Sequence, residues 1–322
     1  MKLANPGKKI LSGCILLLMI LKQSFAMAEN STETGAIVVT LKPLYSLVAH
    51  VTDGVRTPVL LIEQIPLSHH YTMKPSERHI LSDARTIIWF GPAMEPYLSK
   101  VIEQLQKTDS EKRLVISAMQ ADGLKLLRKR SKSPAHSGDH KDDLQQASVH
   151  TIDAHFWLST YNAAAISRHI TSTLITADPK NADRYEKNLL SLLDKIEQTR
   201  AAIQNELSHA ALSSRPAFIS YHDAFQYFEV ENRLNHIASI SYDEETGPSL
   251  RHIRQIKSRI EQENIRCLVY QEPKPAIVAS LGRETAIKAV ALDPLGLNAG
   301  ESRNAWFQSM QQLASGFRRC LN

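Results

Sequence analysis

Two sets of short β-branched runs, alternating with helical patterns, constrain this 322-residue chain more than any other feature. Ile37 to Leu41 (IVVTL), Pro58 to Ile62, Thr86 to Phe90 and Arg113 to Ile116 read as buried strands of a first half. Ala217 to Tyr221, His236 to Ile240, Cys267 to Gln271 and Ala289 to Leu292 read as strands of a second. Helical patterns fall between them, among them Pro75 to Asp83, Met94 to Leu105, Ser249 to Glu263 and Pro275 to Lys288. Strands that alternate with helices argue for an α/β fold with parallel sheets and crossover connections.

A single long helix is expected between the halves. Asp178 suits an N-cap and Pro179 a first helical position. Tyr185, Leu189, Leu192, Leu193, Ile196, Ile203 and Leu207 then share one face, opposite Lys187, Asp194, Lys195, Glu197 and Arg200. About 30 residues at 1.5 Å each would reach roughly 45 Å, a length suited to bridging two domains. The alternative is an ordinary surface helix of one domain. The division expected is a lobe over 29–177, a connecting helix over 178–212 and a second lobe over 213–322.

The first 28 residues have the character of an export signal: a basic start at Lys2, Lys8 and Lys9, an apolar run from Ile15 to Leu21, and Ala26-Met27-Ala28 as a cleavage site. Leu11-Ser12-Gly13-Cys14 resembles a lipoprotein motif, but Cys14 precedes the apolar run that such a cysteine should follow. Removal of the leader takes away four lysines and no acid, so the formal charge drops from +5 to +1. The basic pI therefore gives no ground for nucleic-acid binding. After Cys14 is lost, Cys267 and Cys320 remain, candidates for one disulfide in an oxidising compartment or for two buried thiols. Arg128 to His150 is polar and reads as a surface loop. His136, His140 and His150 within it offer weak metal capture or are incidental to a solvated linker.

Three histidines stand in matching settings: Ser-His-His-Tyr around His69, Ala-His-Phe-Trp-Leu around His155 and Tyr-His-Asp-Ala-Phe around His222. His69 and His222 follow strand endings, and His155 precedes a helical stretch. Ligand sites of open parallel sheets lie beyond the carboxyl ends of the strands. Three imidazoles brought together there suit a tetrahedral zinc site whose fourth position is open or a carboxylate. His50, His79, His169, His209 and His252 read as surface or packing residues.

Leu67-Ser-His-His-Tyr-Thr-Met-Lys-Pro-Ser76, Trp89-Phe-Gly-Pro-Ala-Met-Glu95, His155-Phe-Trp-Leu-Ser159, His222-Asp-Ala-Phe-Gln-Tyr-Phe-Glu229, Gln271-Glu-Pro273 and Leu292-Asp-Pro-Leu-Gly296 occur in this order. Together they resemble the periplasmic zinc-binding components of ABC importers, the ZnuA type, across essentially the whole mature chain. The resemblance implies a C-clamp of two (β/α)4 lobes joined by a rigid helix, with Zn²⁺ held in the cleft by His69, His155 and His222. It implies a monomer that passes the ion to a membrane permease with its ATPase, and a Cys267–Cys320 disulfide in the second lobe. It also places Asp293 at the cleft as a carboxylate ligand, a role that competes with capping the turn that follows.

Two positions depart from the family pattern. Ser68 stands where some zinc members carry an acid, and His70 replaces what is often an acid and could compete as a ligand. Manganese-carrying relatives use two histidines and two carboxylates, and His222 stands where those carry glutamate, which tilts the choice to zinc over manganese or iron. A surface adhesin of the same fold and a secreted zinc hydrolase are the competing classes. For the hydrolase, only Glu272 and Asp223 are near enough in sequence to serve as a base, so a non-enzyme is expected.

Overall fold

The computed structural model describes residues 35–63, 71–108, 113–130, 151–208, 215–241, 247–300 and 302–322. The leader, the 64–70 segment with His69 and His70, and 131–150 with the loop histidines lie outside these residues. Among the described residues, no helix is long and apolar enough to cross a membrane.

The first sheet contains β1 (Ile37–Leu41), β2 (Val59–Ile62), β3 (Thr86–Trp89) and β4 (Leu114–Ser117) in the order β2-β1-β3-β4. The second contains β5 (Ala217–His222), β6 (Asn235–Ser241), β7 (Cys267–Tyr270) and β8 (Lys288–Ala291) in the order β6-β5-β7-β8. Every pairing is parallel. In each sheet the chain steps outward once, then crosses back past its first strand. That reversal opens a crevice at the carboxyl ends of β1 and β3 in one lobe and of β5 and β7 in the other. His222 closes β5 and so sits at such an end.

Helices α1 (Lys42–Val51), α2 (Pro75–Asp83) and α3 (Pro96–Thr108) follow the first three strands. α4 (Thr160–Ala177) completes this lobe, with Ser159 Oγ accepting from Asn162 N as its cap. The long helix, α5 (Ala182–Leu207), has 26 residues, about 39 Å at 1.5 Å per residue, and contains neither Gly nor Pro. Asp178 does not cap it as expected. A 3-10 turn at Pro179–Asn181 intervenes, and the Asp178 carboxylate accepts instead from Asn181 Nδ2 and the Tyr185 hydroxyl. In the second lobe, α6 (Gln226–Asn232), α7 (Leu250–Gln262) and α8 (Ala276–Glu284) alternate with the strands, and α9 (Ala305–Leu321) ends the chain.

α9 reaches across the halves. It packs on α5, on α1 of the first lobe, and on β7 and β8 of the second. Its Phe317 contacts Phe218, Phe225 and Phe228, the last in a stacked pair. The 3-10 turn before it, Ser302–Asn304, lies on α1, where Ser46 Oγ donates to Arg303 O at 2.7 Å.

Alternation along β5 and β7 sorts two cores. Phe218, Cys267 and Val269 face a cluster that runs without a break from Ile37 and Trp157 in the first lobe to Trp306 and Phe317. Ile219, Leu268 and Tyr270 face a separate cluster with Ile256, Ile260, Val278 and Leu281 on the other side of the sheet. A strand covered on both faces needs apolar residues at every position, which is why these strands read as continuous apolar runs.

Cys267, at the start of β7, is bonded to Cys320 in the last turn of α9, with Cα atoms 5.1 Å apart. The bridge closes a separation of 53 residues, worth about 4 kcal/mol on the chain-entropy account. Reduction should therefore lower the unfolding free energy of the purified protein, read from its guanidinium midpoint, by an amount of that order. An unchanged midpoint would mean that the α9 packing, and not the bridge, carries this end of the second lobe.

Candidate metal centre

His155 and His222 come from different lobes and meet. Their ring centroids are 5.4 Å apart with the planes at 65°. Imidazoles that share one Zn²⁺ at ordinary bond lengths hold their ligating nitrogens about 3.3 Å apart, which rings at this separation can reach. His222 is presented by strand geometry: it ends β5, pairs with Ser241, and its carbonyl accepts from Ala224 N as the chain turns toward α6. His155 precedes a 3-10 turn, Phe156–Leu158, that leads into α4. Its side chain is buried.

Asp153 orients His155. Its Oδ1 accepts from the His155 backbone N–H at 2.9 Å and from the ring Nδ1–H at 2.8 Å. A carboxylate on Nδ1 fixes the tautomer that leaves the Nε2 lone pair for a metal, and it raises the ring's basicity. Asp153 is in turn held from the second lobe: Tyr227 of α6 donates its hydroxyl to the Asp153 carbonyl at 2.8 Å while accepting from Leu127 N at 2.9 Å. Sequence reasoning missed Asp153. The acid two residues before His155 was the available signal.

Trp157 joins the motifs around the site. Its ring lies 4.7 Å from that of Phe90, from the Trp-Phe-Gly-Pro motif, and 5.4 Å from that of His155. Its Nε1–H donates to Pro294 O, in the Leu-Asp-Pro-Leu-Gly motif, and its carbonyl accepts from Trp306 Nε1. Lys42 makes a parallel link, its buried ammonium donating to Leu297 O and Ala299 O.

Asp293 lies just past β8 and is half-buried. Its Oδ2 accepts from Asn298 N at 2.8 Å, so one carboxylate oxygen caps the turn. It lines a cleft of about 240 Å³ together with Gln271, Glu272, Asn298, Gln312 and Arg319. Glu272, one of the two acids considered as a base, accepts from the Tyr270 hydroxyl at 3.2 Å. Asp223 is engaged by Arg130.

Three acids of these motifs, Glu95, Asp223 and Glu229, are largely withdrawn from water. Glu95 is fully enclosed, and its Oε2 accepts from Phe90 N at 2.7 Å, closing the turn after β3. In that turn Gly91 has φ +120°, and a Cβ there would stand 2.8 Å from Ser117 Oγ. Burial pushes the Glu95 carboxyl up to about 7. Burial likewise lifts Glu229 to about 7 and Asp223 above its usual range, against the pull of Arg130.

Two parallel lobes on one backbone helix, with a histidine of each lobe facing the other across the cleft, define a two-lobed solute-binding protein. The chain belongs to the family of the periplasmic zinc-uptake complex component A, ZnuA, which it matches over residues 37–320. It is 30% identical over 325 residues to the high-affinity zinc uptake system protein ZnuA of Brucella suis biovar 1 (strain 1330), spanning 92% of this chain and 95% of that protein. A crystal structure of ZnuA matches with a TM-score of 0.71 at 20% identity, covering 90% of this chain and 100% of that one. The solute-binding protein FpvC of Pseudomonas aeruginosa in complex with Mn²⁺ matches with a TM-score of 0.73 at 18% identity, covering 90% and 99%. These two structural likenesses concern the fold alone.

Glu95 yields a pH prediction. Its folded value lies above the usual 4.5, so the unfolded chain ionises first as pH rises. The stability attached to it is complete below about pH 4.5 and is lost as pH passes through 7. Glu95→Gln should therefore stabilise the protein at pH 8 by on the order of 2–3 kcal/mol and leave it little changed at pH 4.5. Equal effects at both values, in chemical denaturation, would show that the carboxyl ionises alike in the folded and unfolded chains and that burial does not raise it.

Proposed function

We propose that the chain captures Zn²⁺ in the periplasm and delivers it to an ABC-type membrane permease driven by its ATPase. The ion binds in the cleft between the lobes, with His69, His155 and His222 as imidazole ligands and Asp293 as the carboxylate on offer. The observation that carries this reading is the pairing of His155 and His222 across the lobes, with Asp153 holding His155 by Nδ1. A ring fixed in that way is a prepared ligand and not a packing residue.

Metal preference follows from the donors. Three imidazoles suit borderline Zn²⁺, whereas harder Mn²⁺ gains from oxygen ligands. Membership of a zinc-uptake family points the same way. Delivery to a permease requires that binding be reversible, and a cleft between two lobes can be opened from outside by a partner that displaces one of them.

Metal content of the mature protein after dialysis against mixed Zn²⁺ and Mn²⁺ should show one tightly held zinc. His155→Ala and His222→Ala should each weaken zinc by more than the roughly 10–100-fold that loss of an orienting partner costs, and Asp153→Ala by an amount within that range. His79→Ala, on an exposed face of α2, should leave the isotherm unchanged. Wild-type titration calorimetry for the first two variants would move the site elsewhere. A strain that lacks the gene and other zinc importers should fail in chelated medium and recover with added Zn²⁺.

A further inference from the structure

Asp223 follows His222 directly, and Glu229 lies on the same side of the lobe in α6. Their side chains are 11% and 2% exposed. With His236 they place three possible ligand atoms within 4.8 Å of one another. Two deep acids and an imidazole at that spacing make a socket for a cation. The chain fills it with its own. Arg130, on the first-lobe segment that pairs at Arg128 with Ile152, donates Nη1 to Asp223 Oδ1 at 2.5 Å and Nη2 to Glu229 Oε2. Asp223 also lies near enough to Asp153 and His155 to interact with their charges, so this carboxylate borders the metal histidines.

We propose that Arg130 is a positioning residue that sets metal specificity: by engaging Asp223, it withholds an oxygen donor from the cleft and keeps the ligand set weighted toward imidazole. The inference rests on the reading that His222 is a zinc ligand. A carboxylate released beside His222 would add the hard donor that Mn²⁺ favours. Arginine fits the task because its guanidinium stays charged at every working pH, and its planar fork spans two carboxylates at once. Lysine would bring a single point charge to the same socket. The arrangement also crosses the lobes, since Arg130 precedes the long helix and both acids follow it.

The test is competitive titration of the full mature chain with Zn²⁺ and Mn²⁺. Arg130→Met should raise Mn²⁺ affinity by about tenfold with a smaller change for zinc, narrowing the preference. Adding Asp223→Asn to that variant should return Mn²⁺ affinity to the wild-type value. Arg130→Gln keeps an amide donor in the socket and is read in its place if the Met variant does not fold. Mn²⁺ affinity that stays unchanged, or that falls together with zinc affinity, would overturn the proposal, because a purely structural role weakens both ions alike. A gain in Mn²⁺ that survives Asp223→Asn would overturn it as well. His222→Ala, titrated alongside, separates the two ideas: zinc lost there, with no Mn²⁺ gain at Arg130, sinks only the specificity role.

Discussion

The architecture depends on one apolar cluster shared by both lobes. Trp157 is its keystone: a first-lobe residue, wholly buried, packed at a tilt against Phe90 and hydrogen-bonded to Pro294 of the second lobe, with Trp306 donating to its carbonyl. A buried tryptophan removes a large apolar area from water, and here its polar edge is satisfied from across the cleft. The lobes cannot separate at this point without uncovering that surface and leaving both indole N–H groups without their acceptors.

His155 inherits its position from this packing. His155 is set between Asp153, which grips its Nδ1, and Trp157, which is locked into the core. Tyr227 then ties Asp153 to the second lobe. The cleft is thus prepared by groups that span both halves, so His155, the proposed zinc ligand, is already oriented. Family membership and geometry here support one another, while the fold by itself is shared with a manganese-bound relative and does not choose the ion.

Much of the fold could be read from apolar runs because doubly covered strands leave uninterrupted apolar strings; Thr86 to Phe90 and Cys267 to Gln271 end within a residue of the observed β3 and β7. Helix α2 coincides with the expected Pro75 to Asp83. Asp178 misled because its side chain had a competing partner in Tyr185, seven residues on, which local capping rules do not see. The reach of α9 was hidden for a similar reason: its apolar face serves two lobes at once, and periodicity tells which face is buried but not against what. At the candidate site, the two histidines that the structure brings together, His155 and His222, stood out by their motif settings. Asp153, Glu95 and Arg130 did not, since each acts through a partner distant in sequence or through a turn of backbone. His69 lies outside the described residues, and Asp293 has one oxygen committed to Asn298 N.

The separation of the two cores along β5 and β7 has a mechanical consequence. Among the described residues, the outer cluster, with Ile240, Ile256, Ile260 and Leu281, is separate from the core that joins the long helix to the first lobe. Its layer of helices can fray or breathe as a unit of its own, exchanging amide protons with solvent, while the inner cluster stays shut. Local opening then has an outlet on the far side of the second sheet.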